Sequence, residues 1–275
     1  VAVFVHVRQI ALDGALAGMQ PPRPFAKAIT PTLVAGKPQT LWGLGGNPGA
    51  GSWDNTLNGV VLSSTSAMVN GQLYHTNPGS GNAHLAGLTA MATQAGMLLL
   101  CDRLWHNGGF TITSTGSQSI TSPTFPARDI AGSTDGDGVY LGLEVSAACG
   151  AAAPTITIGY TNQAGTGSRT ATNSFNTANS PAAGSFFPIG QQAGDTGVRS
   201  VQSLTLSVSW VSGTINLVAY RVLAAIPLLA LIPNDLDPLT SRLPRLYDGV
   251  VPFLIFVPST TTASNITGVY TETQG

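Results

Sequence analysis

Charge is the scarcest property of this 275-residue chain: Asp, Glu, Lys and Arg together make up 8% of it, against roughly a quarter in an average soluble domain. With 11 basic and 12 acidic residues there is no positive surplus to displace counterions from a phosphate backbone, and no Lys/Arg run that could track one. Direct nucleic-acid binding is therefore not expected. Glu144 and Glu272 are the only glutamates, which leaves little for paired-carboxylate hydrolysis. Cys101 and Cys149 permit at most one intrachain bridge, and neither belongs to a closely spaced redox or zinc pair, so two buried thiols are expected. The longest apolar run, LVAYRVLAAIPLLALIP at 217–233, is interrupted by Arg221 and Pro227 and is no longer than the shortest spanning helices, so no membrane segment is expected. VAVFVHVRQI at the start alternates instead of placing a charged stretch before an apolar one, so no secretory signal is read, and the chain is expected in the cytoplasm where it is made.

Catalytic and ligand motifs are missing as well. There is no G-x-S-x-G elbow and no phosphate-binding G-x-x-x-x-G-K-[ST] loop, and the glycines of GLGGNPGAG lack the strand before and helix after that make a phosphate cradle. His6, His75 and His84 form no H-x-x-x-H or H-E-x-x-H pattern. The expectation is a chain with no enzymatic activity, no cofactor and no metal.

What the chain has instead is turn chemistry and alternation, with 33 glycines and 18 prolines. Residues 1–40 begin with an alternating strand pattern and continue into PPRPFAKAITPTLVAGKPQ, whose five prolines remove backbone donors, so they read as an extended assembly arm outside the central domain. A glycine-rich loop region follows at 41–82, with Trp42 and Trp53 as anchors. From 83 to 226 period-two segments recur between Gly, Asn, Pro and Asp clusters, the pattern of an all-β antiparallel β-sandwich, jelly-roll-like. Residues 227–275 read as a proline-broken connector, an apolar strand and a polar tail. The clearest local pairing is a hairpin of SLTLSVSW with TINLVAYRVL through Val211, Ser212 and Gly213.

The segment MLLLCDRLWH, 97–106, carries an acid, a base, a thiol and an imidazole. Met97, Leu100, Cys101, Leu104 and Trp105 would share a helical face; the strand reading is preferred because Gly96 precedes the segment and leucines on both alternating faces suit a strand buried on both sides. On a strand Cys101 points away from Asp102 and from His106, so no catalytic cluster forms, and Asp102 and Arg103 are expected to end the buried strand by making ion pairs with neighbours, for which a subunit boundary is one place. Asp129, Asp135 and Asp137 beside glycines invite a calcium reading, but the full loop motif is absent and a strand-to-strand turn fits better.

LLLCDRLWHNGGFTIT, GDTGVRSVQSLTLSVSW and RLYDGVVPFLIFVPSTTTASNITGVYTETQG resemble segments of structural proteins from tailed double-stranded-DNA bacteriophages, over most of the chain from about Leu41 onward. The likeness is to virion proteins of the decoration or cement type, several of which are β-sandwich or jelly-roll proteins that clamp the outer surface of a capsid. It implies a non-enzymatic protein on the virion capsid surface whose partners are the major capsid protein and neighbouring copies of itself, a homo-oligomer within an icosahedral assembly. No functional residue carries over. The partner contacts are assigned to the arm: Phe4, Phe25, Ile29 and Leu33 need cover, and Arg8, Arg23 and Lys27 give it a basic bias. The alternative is a tail or spike component binding host-surface glycan, with Trp42, Trp53, Tyr74 and Trp105 as stacking platforms.

Overall fold

The computed structural model describes residues 17–27, 33–55, 59–65, 70–174, 181–238, 240 and 242–275. Within them the chain forms strands that pair antiparallel into three sheets. The largest is built on the two longest strands, β6 (Gly96–Asn107) and β13 (Thr214–Leu228), which lie side by side. Next to β13 come β8 (Val139–Ala147) and β11 (Phe186–Pro188); next to β6 come β16 (Pro252–Pro258) and β2 (Gln39–Thr40), with β4 (Val60–Val61) on the end of β6. The four-stranded sheet runs β10 (Arg169–Ser174), β9 (Thr155–Asn162), β12 (Val198–Leu206), β7 (Gln118–Ser119). The third sheet runs β14 (Asn234–Leu236), β5 (Ala83–Ala92), β17 (Ile266–Gln274), β1 (Arg23–Lys27), β3 (Gly46–Asn47), with β15 (Arg245–Leu246) also on β5.

The length of β6 and β13 explains the layering, because each outruns any one partner sheet and serves two. Toward one end, Leu141, Leu143, Val145, Ile215, Leu217 and Ala219 pack against Ile156, Ile158, Val201 and Leu204 of the four-stranded sheet. Toward the other, Leu98, Leu100, Ile226, Leu254 and Phe256 pack against Leu85, Leu88, Ile266 and Tyr270 of the third sheet. The alternate residues Cys101, Val218, Tyr220, Phe253 and Ile255 emerge on the opposite face beneath Trp42, Leu62 and Phe186. Residues 97–106 are thus a strand covered on both faces, as their leucine pattern predicts, and the architecture is the expected all-β antiparallel sandwich. Its strand order is three sheets sharing a central one, where a jelly roll has two.

Three expectations are corrected. The segments placed in a hairpin are both strands, but β12 pairs with β9 and β7 while β13 pairs with β8 and β6. Alternation is the same for strands lying side by side and for strands facing across a core, and here Val201, Leu204 and Leu206 face Ile215, Leu217 and Ala219 through one core. Residues 207–213 cross between the sheets: Trp210 is sunk into the core with its indole N–H donating to Gly150 O at 3.0 Å, and Gly213 turns at φ 109. Second, the polar tail is interior: β17 lies between β5 and β1.

Third, the proline-rich stretch joins the fold, since β1 pairs with β17 along its whole length. Pro24 is tolerated because β3 pairs only with Ala26 and Lys27, so its missing N–H faces no partner, and its carbonyl accepts from Asn47 Nδ2 at 2.8 Å. Phe25 lies opposite Gly268, where a Cβ would overlap its ring, and is buried in the core with Leu33. Replacing Phe25 by Ala should destabilise the protein by about 3–5 kcal/mol. Deleting residues 1–40 should abolish the cooperative melt; a truncated chain melting like the full one would show β1 to be dispensable.

Candidate functional site

The reactive side chains of β6 are consumed internally. Asp102 and Arg103 leave the strand on opposite faces and each finds a buried partner of opposite sign. Asp102 accepts from Arg128 Nε at 3.0 Å and from the Val251 N–H at 3.0 Å. Arg128 uses its remaining donors on the carbonyls of Leu62, Arg103 and Gly249. Arg103 makes a two-pronged pair with Glu144, at 3.0 and 2.7 Å, and lies 4.5 Å over the Trp42 ring. Ion pairs were expected of the two residues; they are made within the chain, and in the middle of β6 where the sequence placed the end of a strand. His106 takes a hydrogen bond from Arg103 on Nδ1 at 3.1 Å and donates Nε2–H to Asp54 O at 3.1 Å, so it is a neutral imidazole. Burial, then the Arg103 charge, pushes it down to about 4. Burial raises the Cys101 thiol far above its usual range and that of Cys149 to about 12; both are unbridged and buried, and neither is a nucleophile at neutral pH.

The three aspartates of the 129–137 loop diverge. Asp129 is surrounded by donors: the N–H groups of Ala131, Ser133 and Gly136 at 2.9, 2.7 and 3.1 Å, and the Ser133 hydroxyl at 2.6 Å. Burial acts to raise its pKa, and those hydrogen bonds outweigh it, leaving the carboxyl below its usual range. A carboxylate filled by donors organises a turn and has no lone pair left for a cation. Asp137 accepts from Thr196 and Asp135 pairs with Arg199 at 3.2 Å. Among the described residues no group of three or more His, Cys, Asp and Glu side chains is placed to hold a metal.

Of the residues assigned to partner contacts, Phe4, Arg8 and Ile29 lie outside the described residues. Phe25 and Leu33 are core. Lys27 is buried with Nζ donating to Leu44 O and Pro48 O at 3.2 and 3.0 Å, and burial pushes its amine down to about 8. The arm's basic and apolar side chains here are covered by its own chain, which corrects the reading that neighbouring subunits cover them. Arg23 alone of the four reaches an open cleft.

That cleft, about 260 Å³, lies between the start of β1, the turn at Asn47–Gly49 and residues 70–74. Arg23 donates to Tyr74 O at 3.1 Å, lies 4.1 Å over the Tyr74 ring and sits 3.9 Å from Glu272. Beneath it Glu272 Oε1 accepts from the Tyr270 hydroxyl at 2.6 Å and faces His75 Nδ1 at 2.9 Å; His75 Nε2 faces Asn77 Oδ1 at 3.1 Å. Of the proposed platforms, Trp42 and Trp105 are buried, Trp53 is half-buried, and Tyr74 is 62% exposed. Glu144 was visible in sequence as a charge inside the apolar strand VYLGLEVS. Arg128, His75 and Glu272 carried no such signal: Arg128 and His75 lie in loops, and Glu272 lies in β17, 197 positions from His75.

No family model and no curated protein matches this chain. Among solved structures it is weakly similar to the infectious bursal disease virus VP2 subviral particle, at 10% identity over 94% of this chain and 81% of that one, TM-score 0.17. The structure of the Gt strain of that virus gives 10% identity over 93% and 82%, TM-score 0.17. Superpositions this loose carry no argument about function.

His106 gives the site a pH dependence. Its folded value of about 4 lies below the ordinary 6.5, so between them the unfolded chain binds the extra proton and stability falls as pH falls. Denaturation midpoints for the natural protein and for His106→Gln should therefore converge on acidification from about pH 7 toward about pH 4.5; a gap that stays constant would show that His106 does not titrate on unfolding.

Proposed function

We propose that this chain is a non-enzymatic structural component of a phage virion that sits on the capsid surface, binding and stabilising the shell through the major capsid protein and neighbouring copies of itself. The observation that carries this reading is where the charge goes. Lys27, Asp102, Arg103, Arg128, Asp129, Glu144, Arg221 and Glu272 are buried, four of each sign in a chain with few charges to begin with. The charges outside that set are few and nearly balanced, 7 basic and 8 acidic, so copies crowded onto a lattice repel one another little. Apolar groups suited to short-range contact stand out from the surface. At the turn before β14, Leu229, Leu231 and Ile232 are 54%, 65% and 52% exposed, and Leu231 is held at φ 61 with its N–H on Ala92 O at 2.8 Å. An apolar turn fixed in that conformation is costly in water and suited to being covered. Many equivalent weak contacts on a shell add to firm attachment. The sequence resemblance to phage virion proteins points the same way.

Imaging of intact particles carrying a labelled copy should place the label over the shell lattice; label confined to the tail would replace this reading with that of a tail or spike component. Attachment should also persist at about 1 M salt, where charges are screened beyond about 3 Å. Leu229→Asp combined with Leu231→Asp should release the protein from shells without lowering its melting temperature. Release by salt alone, with the double variant still bound, would show that charge rather than the apolar turn holds it.

A further inference from the structure

We infer that the cleft at Arg23 and Tyr74 is a binding site for a single neutral saccharide ring, an inference independent of where on a virion the protein sits. The cleft brings together an exposed aromatic ring and three carboxamide side chains, Asn47, Asn70 and Gln72. A pyranose has the matching two-sided chemistry: C–H groups on its ring faces pack on an aromatic surface, and its hydroxyls both donate to and accept from amides. The amides have capacity to spare. The Asn70 side chain, which is exposed, makes no hydrogen bond among the described residues, and the Gln72 amide Nε2 makes only a long one, to Ser64 O at 3.4 Å.

The aromatic surface is also set in place before any ligand arrives. Arg23 is held by the Tyr74 carbonyl and lies over the Tyr74 ring, with the Glu272 carboxylate 3.9 Å away, and Glu272 is itself anchored by Tyr270 and His75. Little side-chain freedom remains to be lost on binding. The same arrangement selects the ligand class. Because the Arg23 charge is balanced by Glu272 directly below, the cleft offers no free cation to a phosphate or a sulfate, and its size is below that of pockets for drug-sized ligands. A terminal or single uncharged sugar fits those limits.

Saturation-transfer difference NMR on the full-length protein tests this, with free glucose, galactose, rhamnose and N-acetylglucosamine as probes and adenosine and inorganic phosphate as controls. At least one monosaccharide should receive saturation at its ring protons. Tyr74→Ala should weaken that binding tenfold or more, Tyr74→Phe should largely keep it, and Tyr140→Ala, which removes a partly exposed tyrosine elsewhere, should leave it unchanged. Thermal melts of each variant confirm that the fold is intact, and Gln72→Ala, which removes one of the carboxamides lining the cleft, provides a second variant should Tyr74→Ala fail to fold. No saturation of any of the four sugars, saturation of adenosine only, or sugar binding that survives both Tyr74→Ala and Gln72→Ala would each overturn the inference.

Discussion

Asp102 and Arg103 sit side by side in β6, and both are removed from water, one on each face of the central sheet. Their partners come from opposite directions, Arg128 from a loop and Glu144 from β8. Breaking either pair leaves a lone charge in the interior, at a cost of about 3–5 kcal/mol. The arrangement also sets register. Sliding β6 by one residue exchanges its faces, which would turn Asp102 toward Glu144 and Arg103 toward Arg128, like charge against like on both sides. The leucines alone would tolerate that slip, because they occupy both faces of the strand. The charges do not.

Everything else is assembled around that strand. β6 pairs with β13 over nearly its full length and with β16 on its other edge, so its register determines which residues of three strands face each partner sheet. The turn at Gly249–Val251 is tied to the same charges, through the Gly249 carbonyl on Arg128 and the Val251 N–H on Asp102. The loop carrying Asp54 is tied to them through His106 and Arg103. Long connections rich in glycine and proline are thereby anchored to the sheet by polar groups, with Trp42 and Trp210 closing the gaps.

This economy of charge links stability to the character of the surface. Spending carboxylates and guanidinium groups inside the fold leaves fewer of them for the exterior, whose contacts are correspondingly short-ranged. The Glu272 network applies the same device near the surface: a buried carboxylate positions an arginine, and the arginine positions an exposed tyrosine at the edge of a cleft.

The all-β class, the strand character of 97–106, the buried cysteines and the pairing of Asp102 and Arg103 within apolar surroundings were legible in the sequence, because each follows from alternation or from the cost of burying a charge alone. Sheet membership was not. Alternation states which residues face inward but not whether the next strand lies alongside or across the core, so β12 and β13 were paired when they face each other. Proline content marked residues 21–39 as unfit for a central strand, yet only the tertiary structure supplies the short β3 that leaves Pro24 unpaired on one side, and the gap over Gly268 that receives Phe25. The cleft was equally hidden: Tyr74 was one aromatic among several, and its exposure, its arginine and the glutamate beneath are joined by contacts between residues as far apart as Arg23 and Glu272, a separation that local pattern does not encode.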